Sequence, residues 1–185
     1  MNRALEERKE RPALEGLFVS EDRQLELAPS DSGGVFRELR DYVSYLLLPH
    51  GQVVRQTRAG ELRGSVEADG TWLKVRYEDG EREAFEIVDA GHLRRGATPL
   101  VRVARHRDLR LDGRYASDRE AVTFTRDGAF FTDLACGRYT ITGNTLALLY
   151  DHGALEATTF YVAPGSEPQR SEIVIDGRAY THLPL

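Results

Sequence analysis

Most of the chain alternates apolar and polar residues with a period of two, the spacing of a β-strand with one face buried. Leu73, Val75 and Tyr77 alternate with Trp72, Lys74 and Arg76, and Leu146, Leu148 and Tyr150 alternate with Thr145, Ala147 and Leu149. The pattern predicts strands near 113–117, 121–126, 129–134, 137–142, 145–150, 156–162, 172–176 and 178–183. Asp127-Gly128, Gly143-Asn144, His152-Gly153 and Asp176-Gly177 punctuate them as hairpin turns. Connections this short exclude parallel crossovers, so the strands form an antiparallel meander closed, or nearly closed, into a barrel or sandwich. Val122, Phe124, Tyr139, Ile141, Phe160, Val162, Ile173 and Ile175 then join the inward face of the second half, and Val66, Phe85 and Ile87 that of the first.

The meander occurs twice. Residues 64–84 laid over 137–157 at an offset of 73 match at Gly64/Gly137, Gly70/Gly143, Leu73/Leu146, Tyr77/Tyr150, Gly80/Gly153, Glu83/Glu156 and Ala84/Ala157. Upstream, Pro49-His50-Gly51 parallels Arg126-Asp127-Gly128, and Leu14-Glu15-Gly16-Leu17-Phe18 parallels Leu111-Asp112-Gly113-Arg114-Tyr115. The offset grows from 73 through 77 to 97 toward the N-terminus, so the first copy holds extra residues. They fall near 33–44, where Val35, Phe36, Leu39, Tyr42 and Val43 have amphipathic helical spacing, with Asp31 or Ser32 as cap. A second short helix is expected over residues 1–13, ended by Pro12. The domain reading is thus a helical segment 1–13, a first β-meander unit 14–103 with a helix near 33–44, a linker 104–110 and a second unit 111–185.

The G-x-aromatic opening of each copy, Gly16-Leu17-Phe18 and Gly113-Arg114-Tyr115, followed by aromatic-rich strands with D-G or H-G hairpins, resembles the small lipocalin-like (calycin-type) β-barrels of bacteria. The likeness covers most of 111–185 and, more faintly, 14–95, and both openings lack the tryptophan usual in that family. It implies a non-enzymatic binding module that holds a small apolar ligand in a barrel, with 33–44 as a lid. The residues facing such a ligand are Phe36, Tyr42, Trp72, Tyr77, Phe85, Phe124, Tyr139 and Tyr150. The alternative is a protein–protein interaction or structural module whose barrels are filled by their own side chains; a barrel-type cyclase ranks third.

Composition narrows the partners. A net charge of −5 argues against nucleic acid and anionic membranes. The basic run from Arg102 to Arg110 reads as a solvated linker. No apolar run approaches membrane-spanning length, the first ten residues lack a signal-peptide core, and the lone Cys136 forms no internal disulfide; together these suggest a cytoplasmic protein. The preference for arginine over lysine suggests a bacterial source. The five histidines show no metal-ligand spacing, so neither metal nor cofactor is expected. Cys136 lacks a local nucleophile signature, and the carboxylate pairs Glu81/Glu83 and Asp118/Glu120 read as solvent-facing, so no catalytic residue is assigned. Trp72, outward on its strand, is expected to touch the other copy, the helix at 33–44, or a second chain in a homodimer.

Overall fold

The structure is a computed structural model that describes residues 14–30, 33–166 and 170–184. It is all-β, with one 3-10 turn, Pro49–Gly51, as its only helical element among the described residues. The expected helix over residues 1–13 lies outside them.

Eight strands come first: β1 (Gly16–Ser30), β2 (Gly33–Leu48), β3 (Gln52–Thr57), β4 (Gly60–Asp69), β5 (Trp72–Tyr77), β6 (Arg82–Ile87), β7 (His92–Arg95) and β8 (Thr98–Arg102). Each pairs antiparallel with the next, and β8 returns to β1 through Phe18↔Arg102 and Val19↔Val101, which closes the ring. A short strand β9 (His106–Arg107) leads into eight more: β10 (Gly113–Ala116), β11 (Ala121–Phe124), β12 (Ala129–Phe131), β13 (Cys136–Gly143), β14 (Thr145–Tyr150), β15 (Leu155–Val162), β16 (Glu172–Ile175) and β17 (Arg178–Leu183). Here Tyr115↔His182 closes the ring. Closure removes the unpaired edges that would otherwise template aggregation.

Period-two alternation fills each ring. Phe18, Tyr45, Val53, Leu73, Val75, Tyr77, Phe85, Leu93 and Leu100 form the first core; Phe124, Phe130, Tyr139, Ile141, Leu146, Phe160 and Ile173 form the centre of the second. Every residue assigned inward from alternation packs in or against one of these cores. Gly16 and Gly113 open the two rings with φ of +139° and +125°, a region that disfavours side chains, and each lies against the closing strand, at Arg102 and His182 respectively. A third cluster joins the rings: Leu17, Val19 and Tyr42 from the outside of β1 and β2 meet Tyr161, Ala163 and Val174 from the outside of β15 and β16.

The helix expected at 33–44 is instead part of β2, a correction to the sequence reading. β1 and β2 run 15 and 16 residues and pair continuously from Gly16↔Leu47 to Ser30↔Gly33. Their counterparts β10 and β11 have four residues each, so the surplus length of the first half resides in this hairpin. The helical spacing of 35–43 loses because Val43, Tyr45 and Leu47 must alternate into the first core, and the same backbone direction carries the pairing outward to the tip. The segment 104–110 also departs from a simple solvated linker. Its arginines are exposed, but His106–Arg107 pairs with β13, and Leu109 is buried with Leu111 in the second core.

Candidate functional site

Each ring has a mouth at the end where its hairpin-matched tyrosine sits. In the first ring Tyr77 faces Gly64, and in the second Tyr150 faces Gly137. Both glycines make room for the neighbouring strand. A Cβ on Gly64 would stand 2.5 Å from the Arg76 carbonyl oxygen and 3.0 Å from the Tyr77 ring; one on Gly137 would collide with the Leu149 carbonyl oxygen and approach Phe130 to 2.9 Å. Six residues after each tyrosine comes a glutamate that accepts its hydroxyl hydrogen: Tyr77 to Glu83 at 2.5 Å, and Tyr150 to Glu156 at 2.8 Å.

The mouths differ in what else they contain. In the first, the Glu83 side chain is only 8% exposed. It accepts from Arg95 Nη1 at 2.5 Å and Tyr45 at 3.3 Å, with Arg55 3.6 Å away. Arg55 lies 4.6 Å from the centre of the Tyr77 ring and forks onto Glu81 at 2.7 and 2.8 Å. Burial raises the pKa of Tyr45 and of Tyr77, and the Glu83 carboxylate pushes each further up, so both hydroxyls stay protonated donors. The expectation that Glu81 and Glu83 both face solvent is therefore corrected for Glu83. Its carboxylate is tolerated out of water because four donors or cations surround it.

The second ring has a cavity of about 370 Å³ at the equivalent end. Its floor is apolar, from Val122, Phe124, Phe130, Leu146, Leu148 and Ile175. Its rim is polar. Tyr180 donates to Glu120, Arg178 Nη1 reaches Glu120 at 3.1 Å, and Arg58, contributed by the first ring, bonds Asp118 at 2.6 Å and Asp41 at 3.5 Å. The hydrogen bond to Glu156 is the main influence holding the Tyr150 hydroxyl above its ordinary pKa. Burial, reinforced by Glu120, does the same for Tyr180. Both hydroxyls therefore stay protonated and donate to Glu156 and Glu120.

Pairing register shows which side chains stand at corresponding positions of the two mouths. Leu47↔Val53↔Gly64 in the first ring corresponds to Phe124↔Phe130↔Gly137 in the second. Two residues toward the mouth, the first ring carries Tyr45 and Arg55, whereas the second carries Val122 and Thr132, both lining the cavity. The opposite end of the second ring is closed by the segment entering it. Leu109 and Leu111 are buried there, and the Tyr139 hydroxyl accepts from the Leu111 amide at 2.8 Å and sits 2.9 and 3.1 Å from the carbonyls of Leu111 and Thr125.

Of the eight residues expected to face a ligand, the cavity gathers Phe124 and Tyr150. Tyr139 packs against Phe124 at 4.8 Å but belongs to the closed end. Tyr77 and Phe85 are in the first core. Tyr42 sits between the rings and donates to Glu172 at 2.6 Å. Trp72 is 45% exposed on the outer face of the first ring, opposite Asp69 and Glu86, and the side chain of Phe36 lies outside the described residues. The sequence reading missed Glu120, Glu156, Arg178, Tyr180 and Arg58 as rim groups. One signal was present, the recurrence of Tyr and Glu six residues apart in both halves; the rest depend on which strands become neighbours. Among the described residues no group of three or more His, Cys, Asp or Glu is arranged to hold a metal ion, and no helix is long and apolar enough to cross a membrane.

Fold and site together define a closed antiparallel β-barrel protein with a cavity open at one barrel mouth. No known family profile, curated protein or solved structure matches the chain.

Proposed function

We propose that this chain is a non-enzymatic binding protein built from two diverged lipocalin-like barrels, in which the second barrel holds a small, largely apolar molecule and the first is a self-filled structural partner. The observation that carries this reading is the cavity of about 370 Å³ in the second ring, set against the Tyr45, Arg55, Glu83 and Arg95 cluster that fills the same end of the first. That volume is within the range of small-molecule sites, and an apolar floor beneath a few placed polar groups is their usual chemistry. The matched Gly64/Gly137 and Tyr77/Tyr150 registers, with Glu83 and Glu156 as shared acceptors, support descent of both barrels from one unit.

The test is uptake of a neutral fluorescent probe, N-phenyl-1-naphthylamine, by the whole chain. A saturable emission increase is expected. Leu148→Trp, which fills the floor, should weaken it at least tenfold, whereas Leu62→Trp in the first ring should leave it intact. Equal effects of the two substitutions would remove the second ring as the site. An opposing observation favours the interaction-module reading: Phe131, Leu134, Leu149 and Leu155 are 48–98% exposed around one side of the second ring. No probe uptake, combined with a sedimentation coefficient that rises with concentration and falls back in Leu149→Asp, would replace the binding reading with a homodimer.

A further inference from the structure

We propose that the molecule held in the second ring is a small organic cation, a guanidinium or primary ammonium group carrying a compact apolar body. This rests on the cavity reading above and names its ligand class. The first ring already shows which chemistry this geometry accepts. There a tyrosine–glutamate pair, Tyr77 and Glu83, is occupied by the chain's own guanidinium groups: Arg95 on the carboxylate, and Arg55 over the phenol ring within reach of the same carboxylate. The second ring repeats the pair as Tyr150 and Glu156, and Thr132 stands at the register position of Arg55. Among the described residues, no Arg, Lys or His forms an ion pair with Glu156. The same phenol-to-carboxylate hydrogen bond, with Glu156 exposed where Glu83 is buried, therefore lines a cavity where the first ring has an arginine side chain.

The remaining rim charges do not compete for this role. Glu120 is engaged by Arg178 and Tyr180, and Asp118 by Arg58. Each rim arginine is already paired with a carboxylate, Arg178 with Glu120 and Arg58 with Asp118 and Asp41, while Arg178 Nε has no hydrogen-bond partner, and the hexanoate arm of the titration below tests that donor against an anionic head group. The Tyr150 ring, which lines the cavity, offers an aromatic face on which a cation can rest. A cationic head at Glu156 and Tyr150 places its apolar body against Phe124, Phe130, Leu146 and Leu148. A benzyl or hexyl group is the right scale for a pocket of about 370 Å³.

Calorimetric titration of the full chain with benzylguanidinium, hexylammonium, benzyl alcohol and hexanoate at low salt tests the inference. The two cations are expected to bind at least tenfold more tightly than benzyl alcohol, and hexanoate most weakly. Glu156→Gln should weaken the cations about tenfold and leave benzyl alcohol unchanged. Thr132→Arg, which installs the first ring's residue, should abolish cation binding. Thermal unfolding identifies whether Thr132→Arg still folds; if it does not, the isosteric Glu156→Gln decides alone. Benzyl alcohol binding as tightly as the cations in both parent and Glu156→Gln overturns the cation class while the cavity reading stands, and so does hexanoate binding best. Failure of all four ligands together with the naphthylamine probe overturns both.

Discussion

Gly137 and Gly143 lie six residues apart on β13 and have different reasons to be glycine. Gly143 has φ of +66° with nothing within 4 Å of a Cβ, so only its backbone conformation penalises a side chain. Gly143→Ala should cost about 1–2 kcal/mol, the usual penalty for a side chain in the left-handed region. Gly137 needs no such conformation, but any Cβ there meets the Leu149 carbonyl and the Phe130 ring, both set by strand pairing. Gly137→Ala should therefore cost more, about 3 kcal/mol or above, since strand backbone must shift and overpacking alone costs about 1–3 kcal/mol. Urea midpoints measured side by side check the order, and a reversed order would mean that β13 and β14 are not this close. Both glycines were recognisable in the sequence as recurring turn or spacing residues. The collision at Gly137 was not, because Leu149 and Phe130 reach it from two different neighbouring strands.

The β1–β2 hairpin is the element on which sequence and structure part. Ring closure uses the start of β1, with Phe18 and Val19 in the ladder and Leu17 accepting from the Val103 amide, and pairing to β3 uses Ser44–Leu48 of β2. Beyond Asp22↔Asp41 the two strands pair with each other alone among the described residues, a ribbon of ~30 Å. An isolated two-stranded ribbon is marginal in water. Its contribution to the ring should be small. Replacing residues 24–39 by a two-residue Asn-Gly turn is expected to leave the thermal midpoint within a few degrees of the parent. A collapse of the midpoint would show that the ribbon packs on the body and is part of its core. The apolar spacing that suggested a helix was real, but such spacing is compatible with either structure over a short run, and the pairing of Val43–Leu48 within the ring decides between them.

On the scale of the whole molecule, the rings are joined by an apolar seam and by charge pairs that cross it. Arg58, in the turn between β3 and β4, reaches Asp118 in the turn between β10 and β11, and the Tyr42 amide donates to the Gly177 carbonyl at 3.0 Å. Burial alone would raise the Asp118 pKa, but the Arg58 hydrogen bond and the charges of Arg58 and Arg178 outweigh it and hold the carboxyl below its ordinary range. A carboxylate depressed on folding contributes stability that is present above its unfolded pKa, ~4, and lost as pH falls through the lower folded value. Asp118→Asn should therefore lower stability at pH 7 by about 1–2 kcal/mol, and the deficit relative to the parent should shrink toward zero by pH ~3. Thermal unfolding of both proteins across that range measures it. A deficit independent of pH would assign the loss to packing rather than charge. The same contact brings a first-ring residue to the rim of the second-ring cavity.

By itself the sequence determined the strands of the second ring, the inward residues of both rings and the antiparallel meander, because alternation and turn dipeptides are local and each strand is followed by its own partner. It also determined the Tyr–Glu recurrence at both mouths. Only the tertiary structure decided that β2 is a strand to its tip, that β1 meets β8 and β10 meets β17, and that Glu83 is enclosed while the corresponding end of the second ring is open. Those outcomes depend on residues 50 or more positions apart, such as Tyr45 with Arg95 and Arg58 with Asp118, whose contact follows from ring closure and barrel packing. Periodicity along a single strand carries no record of such pairs, since it reports which face a residue takes and not which distant strand that face will meet.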